Sequence, residues 1–321
     1  MTEDLPQAII PPLPLPDLLS DLNGLPESAC LLRHKGYEVW LAPAAAIPAL
    51  LREIGRLRET AFRAVGEGTG QAVDLDRYDA HYRHLFIWHA GRQAVIGAYR
   101  LGFSDDFYPR LGLDGFYTWQ LFEYEDAFIR QLAPCIELGR SFVRVEDQRS
   151  FVPLLLLWRA IATIAYQQPQ YRRLFGPVSI SADIPPLFRQ LLAESLLKFH
   201  SRPELSVQIR PRRPLPGATF SPDLMAGLAD CNNLESLLAQ FAPGLRMPVL
   251  IRQYLTLNGR LLSFSVDPDF NNSLDGLVLV DLDRVDEQTL GRYMGAEEAR
   301  TFLQMTGTRH EDACVGDSRA A

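Results

Sequence analysis

Lysine is nearly absent from this chain. Lys35 and Lys198 stand alone among 321 residues, so 30 of the 32 basic side chains are arginine, a bias that a GC-rich genome largely explains. Against 39 acids the formal net charge is −7, and bulk attraction to nucleic acid is not expected, although a local arginine patch can still meet an acidic partner. Cysteine is scarce and scattered: Cys30, Cys135, Cys231 and Cys314 make no CxxC pair and no compact framework, which points to reduced thiols in a cytoplasmic protein. A basic leader is missing, because MTEDLPQAIIPPLPLPDLL puts acids where a secretory segment is basic and interrupts its apolar stretch with prolines. Long apolar runs are missing too: FVPLLLLW is closed by Arg159, short of the roughly 18 uncharged residues of a membrane span. Neither secretion nor insertion is expected.

Several catalytic signatures are also lacking. There is no GxSxG elbow, no HxxxxD motif, and neither lysine follows a glycine-rich loop. GEGTGQ follows a helix and precedes an acidic loop, so it reads as a flexible turn and not as a dinucleotide loop. His81, His84 and His89 are close in sequence, but His81 and His84 fall on opposite faces of a strand-like stretch, and no metal is expected.

What is present is an ordinary globular composition, 47% hydrophobic and 22% charged, which excludes a disordered or collagen-like chain. Residues 1–30 read as a proline-rich leader, floppy or ordered on contact, and 306–321 as a disordered tail. Between them KGYEVWLA alternates as a strand, and Ile47, Leu50, Leu51, Ile54, Leu57 and Ala61 recur as a helical stripe from Ala46 to Phe62, with Pro48 in the first turn. YRHLFIWHA and QAVIGAYRLG make a hairpin across Gly91 and Arg92, and a short helix is expected near 120–132. CIELGRSFV follows as a central strand, the stretch through LLLLWRAIATIAY as a buried helix, RRLFGPVSIS as a strand and PPLFRQLLAESLLKF as an amphipathic helix. A proline- and arginine-rich break closes a core of residues 36–200, and an extension over 215–305 adds helix, strand, acidic turn, strand and helix. This order predicts one α/β (α+β) domain, 31–305, with a mixed, mostly antiparallel sheet flanked by helices and no Rossmann repetition.

The informative residues are dispersed. Arg58 and Phe62 close the first helix, the run Asp74-Leu-Asp76-Arg-Tyr78-Asp79 follows, Arg100 ends the hairpin, and Glu137 and Arg140 sit on the central strand. Charges on an apolar central strand are costly to bury unless paired, so one reading is an ion network of Arg58 and Arg100 with Asp76 and Asp79. Glu137 and Arg140 face opposite sides of a regular strand, which a bulge at Gly139 changes.

In this order, R(x3)F, DLDxYD, IGAYRL and ELGRSFV, continued by LLLLWRAIATIA, LFGPVSIS and PVLIRQYLTLNGRLLSFSVDPDF, the chain resembles the acyl-homoserine-lactone synthases over about residues 36–305. More closely it resembles their GNAT-superfamily relatives that N-acylate amino acids, the ornithine- and glycine-lipid type often labelled hemolysin-like. The resemblance implies a GNAT-like sheet splayed open between two strands with an acyl thioester in the splay. It also implies transfer of a long-chain (3-hydroxy)acyl group to the α-amine of ornithine or glycine in aminolipid synthesis. The stretch Gln148-Arg149-Ser150-Phe151-Val152-Pro153 stands where coenzyme A enzymes present a glycine-rich pyrophosphate turn, and it has no glycine. That departure favours a 4′-phosphopantetheine thioester on acyl carrier protein as donor, with no permanently bound cofactor.

Within that reading Glu137 is the expected base for the acceptor amine, and backbone N–H groups from Ser141 to Val143 hold the oxyanion. Arg140 orients Glu137 or seats the pantetheine. Phe62 joins Arg58, Arg100, Asp76 and Asp79 around the acceptor, and the acyl and pantetheine pocket is drawn from Phe142, Val143, Arg149, Phe151, Trp158 and Ser179. Asp267, Asp269 or Asp275 would receive the second ammonium of ornithine. Two arginine patches, Arg52, Arg56 and Arg63 or Arg202, Arg210, Arg212 and Arg213, offer a dock for the acidic carrier. Two alternatives remain: a GNAT enzyme using acyl coenzyme A, and a non-catalytic acyl-carrier-binding protein in peripheral contact with the inner membrane.

Overall fold

The computed structural model describes residues 6–217, 220–228, 231–241 and 247–314. Ten strands are present among them: β1 (Cys30–His34), β2 (Tyr37–Pro43), β3 (Arg83–His89), β4 (Ala94–Phe103), β5 (Phe122–Glu123), β6 (Cys135–Val143), β7 (Arg173–Ile180), β8 (Arg210–Pro211), β9 (Arg260–Asp267) and β10 (Ser273–Asp281). Eight form one sheet in the order β1-β2-β3-β4-β6-β7-β10-β9, and β5 pairs with β8. Every neighbouring pair in the large sheet is antiparallel except β6 and β7. The C-terminal strands therefore extend the same sheet, which is the mixed, mostly antiparallel, helix-flanked sheet expected.

The helices α1 (Leu15–Gly24), α2 (Pro48–Arg63), α3 (Ser104–Leu111), α4 (Asp126–Leu132), α5 (Val152–Gln167) and α6 (Pro186–Phe199) precede further helices between Pro203 and Cys314. In α2, Leu50, Ile54, Leu57 and Ala61 recur at helical spacing and pack with Trp40, Phe86 and Phe142 on one face of the sheet. Beside it the aromatics of 104–132, led by Phe107, Phe116 and Phe128, pack with Phe175, Leu277 and Leu279. The other face carries α5, whose Leu157, Ile161 and Ile164 are buried with Val39, Leu85 and Leu138. A helix apolar on nearly all sides belongs between layers. No helix among the described residues is long and apolar enough to cross a membrane.

Three boundaries differ from expectation. The proline-rich segment is pinned, with Gln7 N donating to Gly70 O at 2.8 Å and Ile10 N to Ala72 O at 3.1 Å. After it, α1 buries Leu18 and Leu22 against α2. Prolines here fix an extended chain that neighbouring backbone can bind, so the stretch is not a floppy leader. β1 is an additional edge strand, half-exposed and without clear alternation. The last helix, Ala296–Cys314, buries Ala299 and Phe302 and continues into the segment expected to be disordered from 306; residues 315–321 lie outside the described ones.

Candidate active site

β6 and β7 pair only from Cys135 to Glu137 against Arg173 to Phe175, and beyond that point they separate. Gly176 marks the fork: a Cβ there would sit 2.0 Å from the carbonyl oxygen of Leu138, so only glycine lets the strands touch before they part. On its far side β6 stays paired to β4, but the register slips so that Arg140 and Ser141 together face Tyr99. Arg140 has φ +50°. This is a β-bulge, one residue further on than the one anticipated at Gly139, and it re-aims the side chains of the strand.

The fork opens into a cavity of ≈ 640 Å³. Its apolar wall includes Tyr99, Leu138, Leu154, Ile184, Leu250 and Tyr254, and its mouth carries Phe151 and Val249, 56% and 64% exposed. Arg140, Ser141, Ser179, Glu67 and Asp275 supply the polar wall. Of the expected pocket residues, Phe142, Val143, Arg149, Phe151 and Ser179 line the cavity, as does Phe62, which was expected around the acceptor. Trp158 does not: it lies behind the wall, its ring centroid 6.2 Å from that of Tyr99 and 5.3 Å from that of Tyr254.

The charged residues of the central strands form the expected ion network, larger by one arginine, Arg140, and one aspartate, Asp74. Arg58 forks onto Asp79 with contacts of 3.0 and 3.1 Å and lies 3.3 Å from Asp74. Arg100 meets Asp76 at 2.6 Å and Asp79 at 3.3 Å, and Arg140 meets Asp74 at 3.2 Å and Asp76 at 3.7 Å. Burial alone would raise the Asp79 carboxyl, but Arg58 and Arg100 hold it well below the usual carboxylate range. Three guanidinium groups and three carboxylates balance, which is the condition for burying charge. Only Arg140 among the six reaches the cavity wall.

Glu137 is placed differently from the base expected. It is not on the cavity wall but faces the aromatic layer, where its carboxylate accepts from Tyr117 N at 2.9 Å, Thr118 N at 2.7 Å and the Tyr82 hydroxyl. Burial raises its pKa while these donors counter the shift. A carboxylate so enclosed holds the 117–118 turn and has no open path to an amine in the cleft. Its indirect effect is to place Tyr117, whose hydroxyl accepts from Arg140 at 3.2 Å and donates to Asp267 at 2.9 Å.

The acids that do face the cavity are Glu67 and Asp275. Burial, with Asp267 nearby, pushes Asp275 up to about 7. Burial, with Asp275 and Asp183 nearby, pushes Glu67 up to about 8. Glu67 comes from GEGTGQ, which is not a flexible turn: buried Glu59 accepts from Thr69 N at 3.1 Å and Gly70 N at 2.9 Å. Sequence reading passed over Glu67 because a loop has no periodicity to betray a buried face; Asp275, a lone acid in an apolar strand, carries the stronger signal. Asp267 is buried behind the cavity wall on Tyr117.

His84 is buried and its ring nitrogen bonds the Asp79 carbonyl at 3.0 Å, while His81 meets Gly115 O at 2.9 Å. Among the described residues no cluster of histidine, cysteine and acids is arranged to hold a metal. Burial pushes the Cys135 thiol up to about 12, so it is no nucleophile.

Residues 57–159 match the acetyltransferase (GNAT) domain family. A glycine N(alpha)-acyltransferase of Bacteroides thetaiotaomicron is 28% identical over 296 residues, 86% of this chain and 84% of that protein. Another from Phocaeicola vulgatus is 30% identical over 186 residues, 54% of this chain and 57% of that one. Among solved structures, the CoA-dependent acyl-homoserine lactone synthase BjaI, with SAM and isopentyl-CoA, aligns at a TM-score of 0.36 and 12% identity over 85% of this chain and 90% of that chain. The CoA-dependent synthase MesI aligns at 0.33 and 13% over 83% and 95%. By these sequence matches the chain is similar to acyltransferases with a GNAT domain, the glycine N(alpha)-acyltransferases among them.

Proposed function

We propose that this protein moves a long-chain acyl group from the pantetheine thioester of acyl carrier protein to the α-amine of glycine, making an N-acyl amino acid for an aminolipid. The observation that carries this reading is the forked cavity, which joins an apolar trough to a bulged strand edge and a polar end holding one guanidinium and two carboxylates. An amino-acid zwitterion needs that combination. Arg140 faces its carboxylate, and Glu67 and Asp275 face its ammonium. The relatives named for glycine favour a small acceptor. The same two acids keep ornithine as the second reading, since its side chain brings another ammonium.

Asp275 and Glu67 suit the amine proton because their raised pKa values put proton uptake near neutrality. The amine attacks the thioester carbonyl, and N–H groups at the bulge face the developing oxyanion on the strand edge that β7 has left. The carrier-protein donor is supported by the start of α5. Val152 N is bonded to Ser150 Oγ at 3.2 Å and Pro153 has no N–H, so few donors remain for a pyrophosphate. Phe151 and Val249, exposed at the mouth, suit a lipid product that leaves towards a membrane surface.

The test is direct: purified protein, long-chain acyl carrier protein and either glycine or ornithine, with products read by mass spectrometry. N-acylglycine in excess over N-acylornithine is expected. No N-acyl product with either acceptor overturns the reading, and turnover with acyl coenzyme A alone overturns the donor assignment.

A further inference from the structure

Tyr99 stands where the chemistry of such a site is concentrated. Ala98 pairs with Phe142 and Arg100 with Gly139, so the two residues of the bulge, Arg140 and Ser141, lie opposite Tyr99 alone. Its side chain lines the cavity and is only 2% exposed. The hydroxyl makes no hydrogen bond of good geometry and interacts only with two other hydroxyls. The hydroxyls of Ser141 and Tyr254, also on the cavity wall, are its polar neighbours. A buried O–H without an acceptor of good geometry costs up to about 1–3 kcal/mol, and a bound acceptor relieves that cost. The ring is held in place by the edge of Trp158, at an interplanar angle of 73°.

Burial raises the Tyr99 pKa, so the group stays O–H throughout any working range. It is therefore a steady donor and a poor acid. A thioester bound in the trough presents one good acceptor, the carbonyl oxygen, because its sulfur accepts weakly.

We propose that the Tyr99 hydroxyl donates a hydrogen bond to the thioester carbonyl oxygen and to the oxyanion it becomes, acting beside the bulge N–H groups as a side-chain member of the oxyanion hole. This deepens the acyl-transfer reading and rests on it. The amine nitrogen forms a bond to the carbonyl carbon, and the C=O pair moves onto oxygen, where Tyr99 meets it. Collapse breaks the C–S bond, and the amine proton, passed through Asp275, ends on the pantetheine thiol. Tyr99 keeps its own proton throughout.

The experiment pairs kinetics with spectroscopy on Tyr99→Phe. Loss of one oxyanion donor is worth about 10²-fold in kcat, with KM for the acyl donor changed by less than about threefold. A 13C-carbonyl acyl-pantetheine, bound without amino acid, should show its carbonyl stretching band shifted to lower wavenumber in the wild type and restored towards the free position in Tyr99→Phe. The wild-type measurement stands even where the variant folds poorly. A wild-type band at the free position overturns the proposal, as does a variant that keeps kcat within about twofold. A lowered kcat with the band unmoved between the two proteins also overturns it, because the ring then acts through packing. A wild type that binds donor with a shifted band yet forms no N-acyl amino acid instead defeats the acyl-transfer reading.

Discussion

Two groups of charged and polar side chains flank β6, and they differ in how completely they are paired. Behind the strand, Arg58, Arg100, Asp74, Asp76 and Asp79 make a balanced ion network with Arg140, which also reaches the cavity wall, and Glu137 is enclosed by three donors. In front, burial tips Glu67 and Asp275 towards their neutral forms, and Tyr99 meets only the hydroxyls of Ser141 and Tyr254. The first group keeps the sheet in register around a bulge, and on the proposed function the second meets the substrate. Residue type alone does not separate them, since both contain buried acids.

The largest expected effect lies in the paired group. Replacing Arg100 by Met strands Asp76 and Asp79 in the interior, and breaking a buried pair from one side costs about 3–5 kcal/mol. Urea unfolding should show that loss, with activity falling only because less protein is folded. Asp275→Asn should do the opposite: kcat/KM falls by about 10²-fold and the midpoint in urea does not. The raised folded pKa of Asp275 means its stabilising protonated form is fully present below about pH 4, its ordinary unfolded range, and is lost as pH rises through about 7. The Asn variant therefore loses less stability than the wild type between about pH 4 and 7. An Asp275→Asn enzyme with full turnover would remove that residue from the acceptor site.

Glu137 sharpens the division because it was the residue most easily mistaken for the base. In Glu137→Gln an amide N–H₂ must face donors from Tyr82, Tyr117 or Thr118. We expect about 1–3 kcal/mol of lost stability and kcat within about tenfold of wild type in the folded fraction. A Gln variant of normal stability with no acylation would return Glu137 to catalysis.

The hairpin, the α2 stripe, the central strand and the buried helix were all legible in the sequence, because each carries an unbroken period of two or a dense apolar run. The ion network was legible because charge on an apolar strand demands partners. Glu67 was not, since its burial is imposed by Glu59 gripping the loop backbone, and Asp275 was read only as a receiver for ornithine. Tyr99 was hidden within an ordinary strand pattern; its distinction is its place opposite the bulge on the cavity wall, which only packing reveals. The proline-rich leader left two readings, floppy or ordered on contact, and its N–H groups at Gln7 and Ile10, which bind the 70–72 backbone, decide for order on contact.

Acid titration compares the two groups in one measurement. Burial lowers the His84 pKa to about 4, so its neutral form contributes stability that is complete above about pH 6.5 and declines as pH falls towards 4. Asp79, held below its ordinary value, adds a further loss at lower pH. His84→Gln should flatten the upper part of that decline in the thermal midpoint; an unchanged slope would mean that His84 does not carry it.

The smallest effect is expected at the surface. Of the first arginine patch, Arg56 is tied to Glu53 at 2.8 Å and Arg63 to Glu59 at 2.6 Å. In the other, Arg202 and Arg212 are engaged by Glu204 and Glu123 at 2.7 and 3.0 Å. Arg52 is exposed and makes no ion pair among the described residues, on the helix whose C-terminal end, at Ala61 and Phe62, lines the cavity. Rim charges act on encounter more than on the bound complex, so Arg52→Glu should raise KM for acyl carrier protein by about threefold at low salt. Turnover of acyl-pantetheine, which carries no acidic helices, should be unchanged. Equal effects on both donors would move the carrier dock to another face.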